Sequence, residues 1–300
     1  DLERRIAIQA NRSQQEQPFS IAFNALRQML YQDHPNAISS LGTEETVAQL
    51  TQEDLQIYHQ AHFRPDNMVV AIAGRISPEQ ALERIESAFG DWPMPETKLS
   101  QPELPEVISN PQQSIISQAT QQSVILLGYL ASSVYQDDYS ALKLLSTYLG
   151  IGLSSRLFVE LREKRGLAYD VSAFFPTRLD PSHFVTYIGT APENTETATE
   201  GLHREVKRLV AAPLSDQELQ VAKNKLLGQY ALGKQTNGQL AQIYGWYETL
   251  GLGIEFDTQF QSEIAQVTPE TAHSVARRYF DRDPYLSIIG PDLSHADPTC

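Results

Sequence analysis

The stretch LREKRGLAYDV, residues 161–171, sets an arginine and a tyrosine seven positions apart across a glycine. Arg162 ends a basic, helix-like run, Gly166 breaks it, and Tyr169 leads into an alternating strand pattern. A guanidinium presents a rigid fork of N–H donors that fits carbonyl and carboxylate oxygens, and a phenol adds one neutral donor. Donors aimed at an oxygen that gains charge often make the largest single catalytic contribution. The same residues also fit a plain structural role. Arg162 could cap the last helix carbonyls and Tyr169 could be a half-buried strand aromatic, and the spacing alone does not choose between the two.

Other chemistry-bearing groups carry weaker signals. His59 and His62 form HQAH on a helical stretch, a spacing that can place two imidazoles on one face. No glutamate stands between them as in HExxH and no third ligand is evident nearby, so they read as surface or helix-end histidines. His34, His183, His203, His273 and His295 are scattered and read as structural or exposed. The Gly-x-Gly in LGIGLSSRLF, residues 149–158, lacks the third glycine and the preceding strand of a dinucleotide site. It reads equally as a plain connection or as a substrate-contacting loop. No GxSxG elbow supports a serine nucleophile. Cys300 is the lone cysteine, so it makes no internal disulfide and leaves the compartment open.

These groups must be held by elements, and the chain-wide figures bound what those can be. Three hundred residues, 41% apolar and 20% charged, suit an ordinary globular core in about two domains. A net charge of −14 with no basic patch argues against a nucleic-acid partner. No run approaches the roughly 18 apolar residues of a membrane span. The chain opens at Asp1 inside a helical pattern, LERRIAIQANRSQQ, without a signal-peptide pattern, and we expect further sequence upstream of it.

Residues 93–112 hold five prolines among scattered acids and read as a semi-extended linker. An internal repeat lies on either side of it. TQEDLQIYHQAHFRPDNMVVAIAGRIS (51–77) and TPETAHSVARRYFDRDPYLSIIGPDLS (268–294) each run from a threonine-capped helix through an Asp/Pro/Arg turn into an apolar strand ending at Gly74 or Gly290. Only the second copy carries a front half. There, strand 121–130, helices 139–150 and 154–165, a hairpin of 167–175 with 182–190, and helix 194–212 follow in order. The expected fold is α+β: two homologous domains with helices packed on one face of a mainly antiparallel sheet, the first only half present. Residues 1–92 would form the back half of the first domain, 113–292 the second, and 293–300 a tail.

The run SSRLFVELREKRGLAY resembles the C-terminal signature of the insulinase/pitrilysin-like zinc peptidases, the inverzincins of the mitochondrial-processing-peptidase type. LGTEETVAQLTQEDLQIYHQAHFRPDNMVVAIAGRIS is similar to the segment that follows the zinc site in that family. The resemblance implies two α+β domains facing across a chamber. Zinc would sit in the first, on an HxxEH helix with a downstream glutamate, and an Arg and a Tyr seven residues apart would hold substrate from the second. Arg162 and Tyr169 have that spacing. The zinc half departs from the pattern. HxxEH is absent, and in ERRIAIQA the first acidic position is Glu3 while Ala10 stands where the ligand carboxylate belongs. A methyl group cannot ligate zinc, which takes N, S or O donors.

The resemblance therefore implies a non-catalytic, substrate-binding subunit that binds no zinc and cleaves nothing alone. Its partners would be an HxxEH-bearing catalytic subunit that holds the zinc, or a missing N-terminal half, and an extended peptide, in a dimer. Two alternatives stay open: a truncated active metalloendopeptidase, and a degenerate scaffold of the respiratory core-protein kind.

Overall fold

The structure is a computed structural model that describes residues 1–99, 102–291 and 293; His295 and Cys300 of the expected tail lie outside them. It begins with α1 (Leu2–Glu16), α2 (Pro18–Tyr31), α3 (Glu44–Gln49), α4 (Gln52–His62) and α5 (Pro78–Phe89). Residues 93–99 and 102–112 form neither helix nor strand. Then come β1 (Gln113–Ser117), β2 (Ser123–Ala131), α6 (Tyr139–Gly150), a π-helical turn (Phe158–Glu163), β3 (Asp170–Phe174) and β4 (Ser182–Thr190). The order closes with α7 (Thr195–Ala211), α8 (Asp216–Leu232), α9 (Asn237–Thr249), α10 (Phe256–Gln266), α11 (Pro269–Phe280) and β5 (Tyr285–Gly290).

Two compact units share these elements. The larger gathers Asp1–Ala48, Leu104–Leu226 and the chain from Ile264 onward; the smaller gathers Gln49–Glu103 and Leu227–Glu263.

The larger unit is built on a five-stranded sheet in the order β1-β5-β2-β4-β3, parallel between β1 and β5 and antiparallel elsewhere. Helices α6, α7 and α11 cover one face, where Phe280 of α11 packs against Tyr129 and Phe184. Helix α2 covers the other, with Ala22, Leu26 and Leu30 set among Val124, Leu126, Val185 and Ile289. A strand buried on both faces loses its polar alternation, which accounts for the unbroken apolar run SVILLGYLA in β2. Gly128 of β2 lets α2 come close, since a Cβ there would lie 3.0 Å from Leu26 Cδ1.

β3 is held by α6. Lys143 Nζ donates to Phe175 O at 2.7 Å, Ser146 Oγ to Ala173 O at 3.4 Å, and Ser172 Oγ to Gly150 O at 2.8 Å. The helix end touches the strand backbone at Gly150, where a Cβ would fall 1.8 Å from Ala173 N.

In the smaller unit, Thr51, Ser77 and Thr236 close capping boxes at the starts of α4, α5 and α9. Tyr230 bonds both Tyr247 and Asp257, and Lys234 pairs with Asp257. The apolar run Met68–Ala73, expected as a strand, is not one. It pairs with no strand among the described residues, and Met68, Val69, Val70 and Ile72 stay about half exposed. A strand needs a neighbour for its backbone groups, however favourable its side chains.

Candidate functional site

Arg162 and Tyr169 belong to the larger unit, at a junction that differs from an ordinary helix end. Residues 158–163 wind as a π-helix, with Lys164 N donating to Val159 O at 3.0 Å, five residues back. Such turns are rare and recur at functional sites. The chain then reverses at Gly166, whose φ of 65° suits glycine. Gly166 N donates to Arg162 O at 3.1 Å and Leu167 N to Leu161 O at 2.9 Å. Beyond the reversal, Tyr169 N donates to Gly189 O at 2.8 Å and Thr190 Oγ1 to Leu167 O at 2.6 Å. Tyr169 thus immediately precedes β3.

Between these fixed points the two side chains make no hydrogen bond or ion pair with a described residue. Tyr169 is 61% exposed. Arg162 is exposed, forms no ion pair with a described residue, and holds its guanidinium 5.1 Å over the Phe158 ring. Leu161 beside it is fully buried. The arrangement is a hydrogen-bonded backbone with an open planar donor fork and an open phenol.

Electrostatics reinforce the turn. Glu160 lies 2.9 Å from Arg156 Nη1 and accepts from Lys164 Nζ at 2.7 Å; the Lys164 hydrogen bond, opposed by burial, keeps its carboxyl below the usual range. Arg156 Nε donates to Glu205 Oε2 of α7 at 2.7 Å. Burial works against the Arg156 charge, yet Glu205 and Glu160 together raise its pKa above the ordinary value. The preceding loop is tied to α8, whose Lys225 Nζ donates to Ile151 O at 2.7 Å and Ser154 Oγ at 2.8 Å.

These anchors were not singled out from sequence. The i, i+4 spacing of Arg156, Glu160 and Lys164 carried part of the signal, whereas Glu205 and Lys225 arrive from distant helices.

Ala10 lies partly buried on α1, and the neighbouring Asn11 spends its amide on Leu41 O at 2.9 Å. No group of three or more His, Cys, Asp or Glu among the described residues could hold a metal ion. Ala10 itself offers no N, S or O side-chain donor of the kind zinc takes. The histidines are placed elsewhere. His59 stacks on Phe63 and His62 lies against Tyr58. His34 accepts from Asn36 N at 3.1 Å, and His273 Nε2 meets Val210 O at 2.8 Å. Burial lowers the His203 pKa, and His183 sits in the sheet core against Tyr31.

The family model described as the peptidase M16 inactive domain matches residues 49–226. The chain belongs to the peptidase M16 family. Its relatives include an uncharacterized zinc protease of Streptomyces coelicolor, 29% identical over 297 residues, covering 97% of this chain and 64% of the relative. Another, the uncharacterized zinc protease YmxG of Bacillus subtilis, is 26% identical over 298 residues, covering 96% and 70%. This M16 chain thus spans about two thirds of the length of such relatives.

Among solved structures, a protease from Helicobacter pylori superposes with a TM-score of 0.90 at 20% identity, over 96% of this chain and 71% of that one. A chain of complex III2 from Candida albicans gives 0.82 at 16% identity, over 96% and 70%. At these identities the likeness is one of fold. Among the described residues, no helix of this M16 chain is long and apolar enough to cross a membrane.

Proposed function

We propose that this M16 chain is a non-catalytic, substrate-binding subunit that serves an HxxEH-bearing partner in peptide-bond cleavage. One observation carries the reading: Arg162 and Tyr169 stand open on an internally bonded junction anchored by the buried Leu161, Leu167 and Ala168, in a chain whose described residues include no group of three or more His, Cys, Asp or Glu that could hold a metal ion. An exposed arginine that pairs with no described carboxylate offers its donors to an extended peptide. Its fork can donate two N–H bonds to a backbone carbonyl, and the Tyr169 hydroxyl can donate a third. As a carbonyl carbon is attacked its oxygen gains negative charge, and both donors gain strength in step with it. Positioning and charge stabilisation fall to this chain, and the metal chemistry to its partner.

The test is reconstitution with the HxxEH-bearing subunit and a quenched fluorogenic peptide. The chain alone is expected to show no turnover. In the pair, Arg162→Ala is expected to lower kcat by about 10²–10³, the usual effect of removing one oxyanion donor, and Tyr169→Phe by a smaller factor. Turnover by the isolated chain would sink this reading. Indifference of the pair to both substitutions would leave a scaffold role, in keeping with the fold likeness to the complex III2 chain.

A further inference from the structure

Arg162 is one of four cations within ten residues, Arg156, Arg162, Lys164 and Arg165, and the packing decides how that segment winds. Arg156 and Lys164 stand four residues to either side of Glu160, and both pair with it. Arg156 is also bound from outside by Glu205. Glu205 is 3% exposed and Glu160 8%, so these charges are withdrawn from water and stand only while paired. Helix α7 closes on the same segment one turn before Glu205, at Gly201, where a Cβ would lie 2.8 Å from Leu161 Cδ2. The π-helical winding is intrinsically less favourable than α, and this stapling from α7 offsets its cost.

We propose that Glu205 and Arg156 are positioning residues for Arg162: the buried α7 carboxylate holds Arg156, Arg156 and Lys164 hold Glu160, and the stapled π-turn fixes where the Arg162 fork points. Without Glu205, Arg156, whose side chain is 20% exposed, is left with Glu160 as its partner. It would then draw both oxygens of Glu160 away from Lys164, and the turn would relax toward α winding. A change of winding by one residue turns the following side chains by about 100°, enough to take a planar donor off its target. The proposal rests on the reading that Arg162 grips peptide, and the two fail separately.

The first arm uses the chain alone. Phenylglyoxal labelling of Arg162 is followed by peptide mass spectrometry, with exposed Arg75 as the internal reference. Glu205→Gln is expected to change the Arg162 rate by at least about threefold, the scale of coupling between groups in one network. Arg156→Lys, which keeps a cation between Glu205 and Glu160, is expected to change it less. Should Glu205→Gln not fold, Glu160→Gln serves in its place, because it breaks the staple nearer the surface. A smaller change in the substituted protein overturns the proposal.

The second arm uses the reconstituted pair. Glu205→Gln is expected to lower kcat with little effect on KM, and to add nothing in an Arg162→Ala background. Additive losses overturn the proposal. A silent Arg162→Ala overturns the peptide-gripping reading instead, and the labelling arm still judges the positioning.

Discussion

Replacing His183 by glutamine is expected to make the larger unit markedly less sensitive to acid. His183 lies on β4 at 1% exposure, its Nδ1 2.8 Å from the Tyr31 hydroxyl and its ring edge-on to Phe23 and Phe174. Burial first, then the nearby charges of Arg178 and Arg27, push its pKa from 6.5 down to about 3. A base whose folded pKa is lowered leaves the folding balance unchanged while it is neutral in both states. Below 6.5 the unfolded chain takes up a proton that the folded chain refuses, so stability falls steadily until the folded pKa near 3 is reached.

Each pH unit crossed costs about 1.36 kcal/mol. Moving from pH 7.5 to 4.5 therefore removes roughly 2.7 kcal/mol through this one side chain, against a total of about 5–15 kcal/mol for a typical domain. Glutamine keeps a polar partner for Tyr31 and does not titrate. The assay is urea unfolding at both pH values, read by far-UV circular dichroism or by protection of β4 amides. Tryptophan fluorescence is unsuitable, because Trp92 and Trp246 both lie in the smaller unit. If His183→Gln loses as much stability as the parent chain over this pH interval, the reasoning is refuted, whatever the absolute stability of the variant.

Two further outcomes follow from single positions. Gly150→Ala should cost more than about 4 kcal/mol, the range reserved for severe steric faults, since the added methyl meets the Ala173 backbone and not a movable side-chain tip; a thermal midpoint within a few degrees of the parent would contradict the contact. Ala10→Glu introduces one carboxylate but no HxxEH, so the variant alone should retain less than about a tenth of an equivalent of zinc after dialysis, and stoichiometric zinc by mass spectrometry would show a ligand set that the described residues do not reveal.

Much of the architecture is written in local pattern. The threonine caps of α4 and α11, the apolar runs of β2, β4 and β5, and the Gly166 reversal after a basic run all declare themselves through short-range physics: capping, side-chain periodicity and backbone freedom. That Ala10 offers no metal donor is equally local, because a methyl group is no donor in any fold. The two-sided burial of β2 also left its mark, in the absence of polar alternation, though nothing in that run names α2 as the second cover.

Only the tertiary structure decided the rest, because each case turns on a partner far along the chain. Met68–Ala73 has the composition of a strand, but a strand exists only where another backbone meets it, and among the described residues none does. His183 reads as an ordinary histidine until α2 closes over it and takes its charge away. The segment carrying Arg162 reads as α-helix. Its π winding is tied to Glu205, 49 residues from Arg156, and to the close approach of α7 at Gly201. The sequence by itself settled which donor-bearing side chains are present. Packing settled that Arg162 and Tyr169 stand open on a hydrogen-bonded junction, because only the fold shows which charges are already satisfied and which remain free to meet another molecule.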